Sequence, residues 1–385
     1  MLFHEQETNN FYYVNNIVTK LKKAKKITIF GAGIVAVEVS SCLMGAPYHL
    51  EISCFIVSQL ENNPSKLWGR KVISLYEASN ILPCDTLIVI ACMEKNLDSI
   101  VERLHQSGFY NLLPLTFESD LWSLIRGNYF IEYCHRNQKK YLILEEELKN
   151  IDYYEKRNEV SIYTAKCHVD KPLKKDVSGY SWEIPIQVGS ELTSNVICDI
   201  QDNTGDNISN KNRTYCELTA LYWIWKNTSS EYVGLCHYRR HFELDEQKLK
   251  QLSNSNIDVV LTIPILNFPS VKEVYGHDHV LDDWEIMIEG IQKLSPAYME
   301  AAVLVQESIY YYGYNMFIAR KSIFDDYCSW LFPILFYCEN HCMPKENSYQ
   351  NRYIGFLAER LLTIYMKYHE DDYKIVHARK HFIER

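Results

Sequence analysis

The sequence predicts an α/β protein of two domains, and three observations predict it. Its 385 residues suit two domains at roughly 100–200 residues each. Residues 26 to 36, KITIFGAGIVA, join a β-branched run to a glycine turn and a helical pattern. Short apolar runs then alternate with helical stretches, the pattern of a parallel sheet covered by helices.

Each element of the first domain, residues 1–118, follows from this reading. After Gly31, Gly33 and Ala36, a helical pattern runs through Leu43. EISCFIVS (51–58) reads as a second strand, and Trp68 to Val72 as a loop. TLIVIAC (86–92) reads as a third strand, followed by a helix over 98–107 and a short strand near Asn111 to Leu115. Strand, glycine turn, helix begins a Rossmann-like unit. The acid that would grip a ribose at the end of the second strand is missing, because Val57, Ser58 and Gln59 stand there. A structural or regulatory role and true nucleotide binding both stay open. The region resembles the small Rossmann-like domain attached to bacterial sugar-modifying enzymes such as sugar acyltransferases.

Residues 119–158, including KKYLILEEELKN, lack Pro, Gly and Ser enrichment and read as a helical connector. The second domain, residues 159–385, opens on the strand SIYTAKC. DIQDNTGDNISNKN (199–212) is an Asp- and Asn-rich loop. It leads to TYCELTALYWIWKN, predicted as one helix with Glu217, Leu221 and Ile224 sharing a face. EYVGLCHYRRHF (231–242) is a strand ending on two histidines and two arginines.

Composition removes several classes of function. A net charge of −9 argues against nonspecific nucleic-acid binding, which needs a basic surface. Twelve cysteines form no CxxC spacing, and Cys338, His341 and Cys342 offer too few ligands for zinc. The opening MLFHEQETNN is polar, and no apolar run approaches the ~20 residues that span a bilayer. A reduced, cytoplasmic protein is expected. The basic clusters at 21–26 and 171–175 could touch the inner face of the plasma membrane, although such clusters are usually only solvated. The 29 tyrosines suit sugar clefts and core packing alike.

The run DNTGDNISNKNRTYCELTALYWIWKN, the CHYRR after it, YNMFIARKSIFDDYCSWLF and GFLAERL together resemble a family of bacterial glycosyltransferases. That family was long labelled only as a domain of unknown function. It occurs in capsule and O-antigen clusters and includes galactofuranosyltransferases. The resemblance covers about residues 160 to 380. It implies a GT-A-like fold, a UDP-sugar donor and a lipid-linked polysaccharide acceptor, with galactofuranose as the first sugar to try. In GT-A enzymes an Asp-x-Asp motif ends the corresponding strand and holds a divalent metal; here His237-Tyr238-Arg239-Arg240 stands instead. Arginine keeps its charge and offers a planar fork to phosphate. Arg239 or Arg240 is therefore expected to neutralise the leaving diphosphate, so that no cofactor is required and a metal is not favoured. The competing reading pairs these arginines with Asp199, Asp202 or Asp206.

By the same resemblance Glu359 is expected to be the general base of an inverting transfer, with Asp282 and Asp283 as rivals; an ion pair with neighbouring Arg360 or an exposed helix face is the competing reading of Glu359. Asp206, Asn207, Lys211, Asn212, Glu217, His237 and His377 are the candidate donor contacts. Tyr314, Asn315 and His277 are candidate acceptor contacts, with His279 able to touch either sugar. Two other classes are compatible with the sequence: an NAD-dependent nucleotide-sugar oxidoreductase or epimerase, disfavoured by the missing ribose acid, and a non-catalytic nucleotide-sugar-binding assembly protein.

Overall fold

The computed structural model describes residues 16–21, 23, 26–153, 158–173 and 180–383. The opening decapeptide and Lys22, Lys25, Lys174 and Lys175 of the basic clusters lie outside the described residues. The chain divides into two units, Met1–Tyr141 and Leu142–Arg385, and the α/β class holds in both.

In the first unit, strands β1 (Lys26–Phe30), β2 (Glu51–Val57), β3 (Lys66–Leu67), β4 (Arg70–Ser74), β5 (Ile88–Ile90) and β6 (Leu112–Pro114) form one sheet in the order 3-4-2-1-5-6. Every pairing is parallel except β3 with β4. Their apolar runs are continuous rather than alternating because both faces of a parallel sheet are covered. The stretch expected as a loop at Trp68–Val72 is a hairpin instead. Trp68 and Gly69 have φ of 51° and 73°, the backbone sense that tight hairpin turns need. Helix α1 (Ile34–Met44) follows Gly31 as expected. Helix α4 (Asp120–Arg136) belongs to this unit by its contacts, where the sequence suggested a connector; α2 (Leu75–Ile81) and α3 (Leu97–Gln106) complete it.

Gly31 has a plain steric reason to be glycine. Its φ is +124°, and an added Cβ would sit 2.5 Å from the Ala91 carbonyl oxygen and 3.3 Å from the Ala36 Cβ. Gly33, the N-cap of α1, has φ −87° and open space around it. The glycine turn is thus accounted for by packing of β1 and α1 against the residue after β5.

The second unit opens with β7 (Leu142–Ile143) and the one-turn helix α5 (Leu144–Leu148), then β8 (Val160–Lys166), β9 (Glu183–Gln187) and β10 (Ile200–Gln201). The predicted helix after the Asp/Asn loop is broken in two, α6 (Asn212–Tyr215) and α7 (Leu218–Asn227). Cys216 between them has φ 52°, which takes Glu217 off the helix face and sets it at the N-cap of α7. β11 (Tyr232–His237) turns at Tyr238-Arg239 into β12 (Arg240–Phe242). Then come α8 (Glu246–Ser253), β13 (Val259–Thr262), β14 (Ile265–Leu266), α9 (Val271–Asp278), α10 (Leu281–Leu294), α11 (Met299–Glu307), β15 (Tyr310–Tyr311) and β16 (Phe317–Arg320). The chain ends with α12 (Lys321–His341), α13 (Tyr353–Tyr368), β17 (Ile375–Ala378) and β18 (Lys380–Phe382).

The main sheet runs 10-9-8-11-16-13-17-7, with β12 and β18 attached at the end of β11. Only β16 is antiparallel to its neighbours along that path. The carboxyl ends of β8 and β11 therefore lie beside the amino end of β16. In open α/β sheets that edge is where ligands bind. All twelve cysteines are free thiols; His341 turns outward, stacks on Tyr337 and bonds its carbonyl.

Gly31→Ala is expected to destabilise the first unit by about 1–3 kcal/mol through strain and a backbone clash. Gly33→Ala should be near neutral. Thermal melting of both variants checks the contrast.

Candidate functional site

Two consecutive residues organise the edge of the sheet. Tyr314 and Asn315, just before β16, have φ of 72° and 51°. Such values are uncommon outside glycine and cost on the order of 1–3 kcal/mol each. The Tyr314 backbone N–H donates to Glu359 Oε1 at 2.6 Å, and Asn315 Nδ2 donates to Glu217 Oε1 at 2.7 Å. One strained dipeptide thereby holds two carboxylates in a single cleft. Glu359 comes from the middle of α13 and Glu217 from the break before α7.

Cations surround this pair. Arg360 Nη1 donates to Glu359 Oε2 at 2.7 Å. The Arg240 guanidinium and the Lys380 ammonium both lie over the Tyr314 ring, at 4.5 and 4.9 Å from its centroid. Arg352 Nε donates to Cys216 Sγ at 3.1 Å and feels the charge of Glu217. Among the described residues, Arg360, Arg240, Lys380 and Arg352 thus lie around Glu359 and Glu217.

Burial pushes the Glu359 carboxyl above the ordinary carboxylate range. Arg360, the Tyr314 N–H and Arg240 oppose the shift, and Glu217 adds to it. Burial lowers His237, which stays neutral despite Glu217 nearby. His237 Nε2 and Asn315 Oδ1 have no hydrogen-bond partner among the described residues, so the cleft presents buried polar atoms that a bound hydroxyl or water would satisfy.

A cavity of about 250 Å³ near the ends of β8 and β11 is lined among others by Thr164, Lys166, His168, Asp170, Glu183, Tyr238 and His241. At its floor His241 Nδ1 donates to the buried Glu183 carboxylate at 2.8 Å, and Thr164 Oγ1 donates to Glu183 Oε2 at 2.5 Å. Cys167 of its wall is within electrostatic reach of Cys216, the neighbour of Glu217.

The structure brings Glu359, Glu217, His237, Arg240, Tyr314 and Asn315 into one cluster. Arg239 lies over the Phe382 ring at 4.4 Å and donates from Nε to the Ile383 carbonyl at 3.1 Å, while Arg240 reaches the same ring at 5.5 Å as well as that of Tyr314. Asp283 forms a buried ion pair with Lys345 at 2.7 Å instead of joining Glu359, and Asp282 is exposed.

The loop candidates are engaged within the protein. Lys211 is paired with Glu339 at 2.7 Å. Asn212 Nδ2 bonds the Cys216 carbonyl at 2.7 Å. Asp206 accepts from Tyr222 and Asn207 bonds the Gly205 carbonyl. Asp202 is fully buried and accepts from the Gly189 and Ser190 N–H groups, so it pins its own loop rather than an arginine. His377 lies buried in β17 between Tyr312 Oη at 2.9 Å and the Leu142 carbonyl at 3.1 Å, with its pKa lowered by burial to about 4. His277 is exposed beside Asp278. Arg360 forms with Glu359 the ion pair that is the competing reading of that glutamate; Arg352, Lys380 and the Glu183–His241 pair were not singled out from the sequence. No local spacing marks them, since each meets the cleft only through tertiary pairing.

The cluster lies at the carboxyl ends of β8 and β11, the edge at which open α/β sheets bind their ligands. Residues 162–370, more than half the chain, match the family described as domain of unknown function DUF4422, and the chain belongs to that family. It is also similar to a solved structure described as the apo form of the WbbM bifunctional glycosyltransferase. The identity is 32% and the TM-score 0.54, over 59% of this chain and 46% of that one. The match thus spans less than half of that protein's length. No curated protein sequence matches the chain.

Removing one member of the buried Asp283–Lys345 pair leaves the other as an uncompensated charge. Asp283→Ala is expected to cost about 3–5 kcal/mol, and replacing both residues with apolar ones of similar volume much less. Urea unfolding of the single and double variants measures the difference.

Proposed function

We propose that this protein is a glycosyltransferase that moves a sugar from a UDP-sugar to a lipid-linked polysaccharide acceptor, with inversion and without a metal. Galactofuranose is the first donor sugar to test. The observation that carries the reading is the convergence of Glu359 and Arg240 in one cleft beside a cavity at the strand ends. Family membership and the likeness to a glycosyltransferase structure support it.

In this reading the cavity over Glu183 and His241 takes the nucleoside, and the diphosphate points toward Arg240. The acceptor hydroxyl oxygen attacks the anomeric carbon while the bond from that carbon to the diphosphate oxygen breaks. The hydroxyl proton passes to a Glu359 carboxylate oxygen. The leaving UDP keeps the bonding electrons, and its developing charge is met by the Arg240 guanidinium, with Lys380 behind the same tyrosine ring. Fixed cations aimed where charge develops lower the barrier without reorganisation. The raised Glu359 carboxyl, once ionised, is a stronger base than an exposed one. The peptide N–H and guanidinium on its two oxygens favour the ionised form.

Glu359→Gln is expected to lower the rate of UDP release by about 10²–10⁴-fold, with donor affinity little changed. Near-normal turnover would dismiss the base. Activity in the wild type should fall as pH drops through the raised Glu359 value, an acid limb above the ~4.3 of an ordinary glutamate. Glu359 is the group whose removal should abolish that limb.

Transfer should persist in EDTA, whereas loss that Mn²⁺ restores would overturn the metal-free mechanism. A thermal-shift panel of UDP-sugars identifies the donor, because ligand at 100 times its Kd stabilises by about 2.7 kcal/mol.

A further inference from the structure

One face of α13 is unlike the rest of the helix. Arg352 at its N-cap, Phe356, Glu359 and Thr363 follow one another at spacings of four, three and four, so they share a side. The inner end of this face is bonded to the cleft: Thr363 Oγ1 accepts from the Tyr312 N–H at 2.9 Å and Glu359 from that of Tyr314. The outer end emerges toward solvent, where Phe356 is half-buried and Arg352 exposed.

Aromatic rings are layered at that outer end. The His279 ring lies on Phe356, with centroids 4.0 Å apart and planes at 22°. Tyr349 leans on both, 5.2 Å from Phe356 and 6.2 Å from His279, and it is 54% exposed. The layer is fixed from several directions. Gln350 accepts from His279 Nδ1 at 3.4 Å and donates to the Asp278 carbonyl at 2.8 Å. Asn347 Oδ1 accepts from the Tyr349 N–H at 2.8 Å. The buried Lys345–Asp283 pair anchors the same loop two residues before Asn347. Burial, reinforced by Arg360, lowers His279 to about 4, which keeps the layer uncharged at neutral pH.

Tyr349, outward and backed by other rings, lies within electrostatic reach of Glu359 and Arg352. We propose that Tyr349, backed by Phe356 and His279, forms a stacking platform for a sugar ring of the acceptor, placing its hydroxyl at Glu359. A saccharide ring has an apolar face of C–H groups and a rim of hydroxyls. The aromatic faces match the former. The guanidinium of Arg352, whose hydrogen bond within the described residues is made through Nε to Cys216, matches the latter, as few polar groups among apolar lining set a ligand's orientation. The proposal rests on the glycosyltransferase reading and names the acceptor side of that site.

The test is saturation-transfer NMR with a panel of methyl hexopyranosides and hexofuranosides, in the presence of UDP. Ring C–H signals from at least one glycoside are expected with the wild-type protein. Affinity should fall on the order of fivefold in Tyr349→Ala and in Phe356→Ala, the scale of a lost aromatic contact. Tyr349→Phe, which keeps the ring, should retain the signal. Thermal melting of each variant separates loss of binding from loss of fold. Absence of any glycoside signal, or signals that survive Tyr349→Ala and Phe356→Ala, overturns the platform. UDP binding by the wild type is read in the same samples. UDP bound without glycoside sinks the platform alone, and neither bound sinks the donor reading as well.

Discussion

The left-handed pair Tyr314-Asn315 is the constraint on which the cleft depends. Two carboxylates brought close in a poorly solvated place repel each other, and burial already raises Glu359. The pair offsets that cost by giving each carboxylate a donor from consecutive residues, a backbone N–H for Glu359 and a side-chain amide for Glu217. The donors can point to different acids only because the backbone takes the rarer handedness twice. Asn315 is suited to it, since asparagine tolerates that region better than most residues. Tyr314 is less suited, and both Arg240 and Lys380 lie over its ring, contacts that help to fix the conformation.

The rest of the unit supplies what this pair needs. β16 runs against its neighbours, so its amino end arrives at the carboxyl ends of β8 and β11. The break at Cys216 turns Glu217 from a helix-face residue into an N-cap residue that reaches Asn315. Of the two arginines at the β11–β12 turn, Arg240 reaches the Tyr314 ring as well as that of Phe382, and Arg239 bonds the Ile383 carbonyl.

Much of this was legible in the sequence. The strands were, because buried parallel strands are long apolar runs. So were Glu359, Glu217, His237, Arg240, Tyr314 and Asn315, through ordered motifs shared with a family. What was not legible has a common cause. Glu183 and His241 are 58 residues apart and meet only when β9 and β12 are in place. Cys216 gave no sign that it would break a helix, since neither glycine nor proline stands there. The polar loop at 206–212 looked like a ligand cradle because Asp, Asn and Lys serve both roles. Its side chains are taken up by Glu339, Tyr222 and the backbone around Cys216. Residue type alone does not tell a loop that binds from a loop that ties itself down.

The Asp283–Lys345 pair carries one more consequence. Its two side chains are 2% and 8% exposed, so dissolved ions have little access to the field between them. Surface ion pairs weaken as the Debye length shrinks toward ~3 Å in molar salt, whereas buried ones are screened much less. The loop that carries Tyr349 is consequently tethered by an electrostatic contact that ionic strength does not loosen. Any approach of a negatively charged substrate to the cations of the cleft should respond strongly to salt. The geometry of the Tyr349 loop should not.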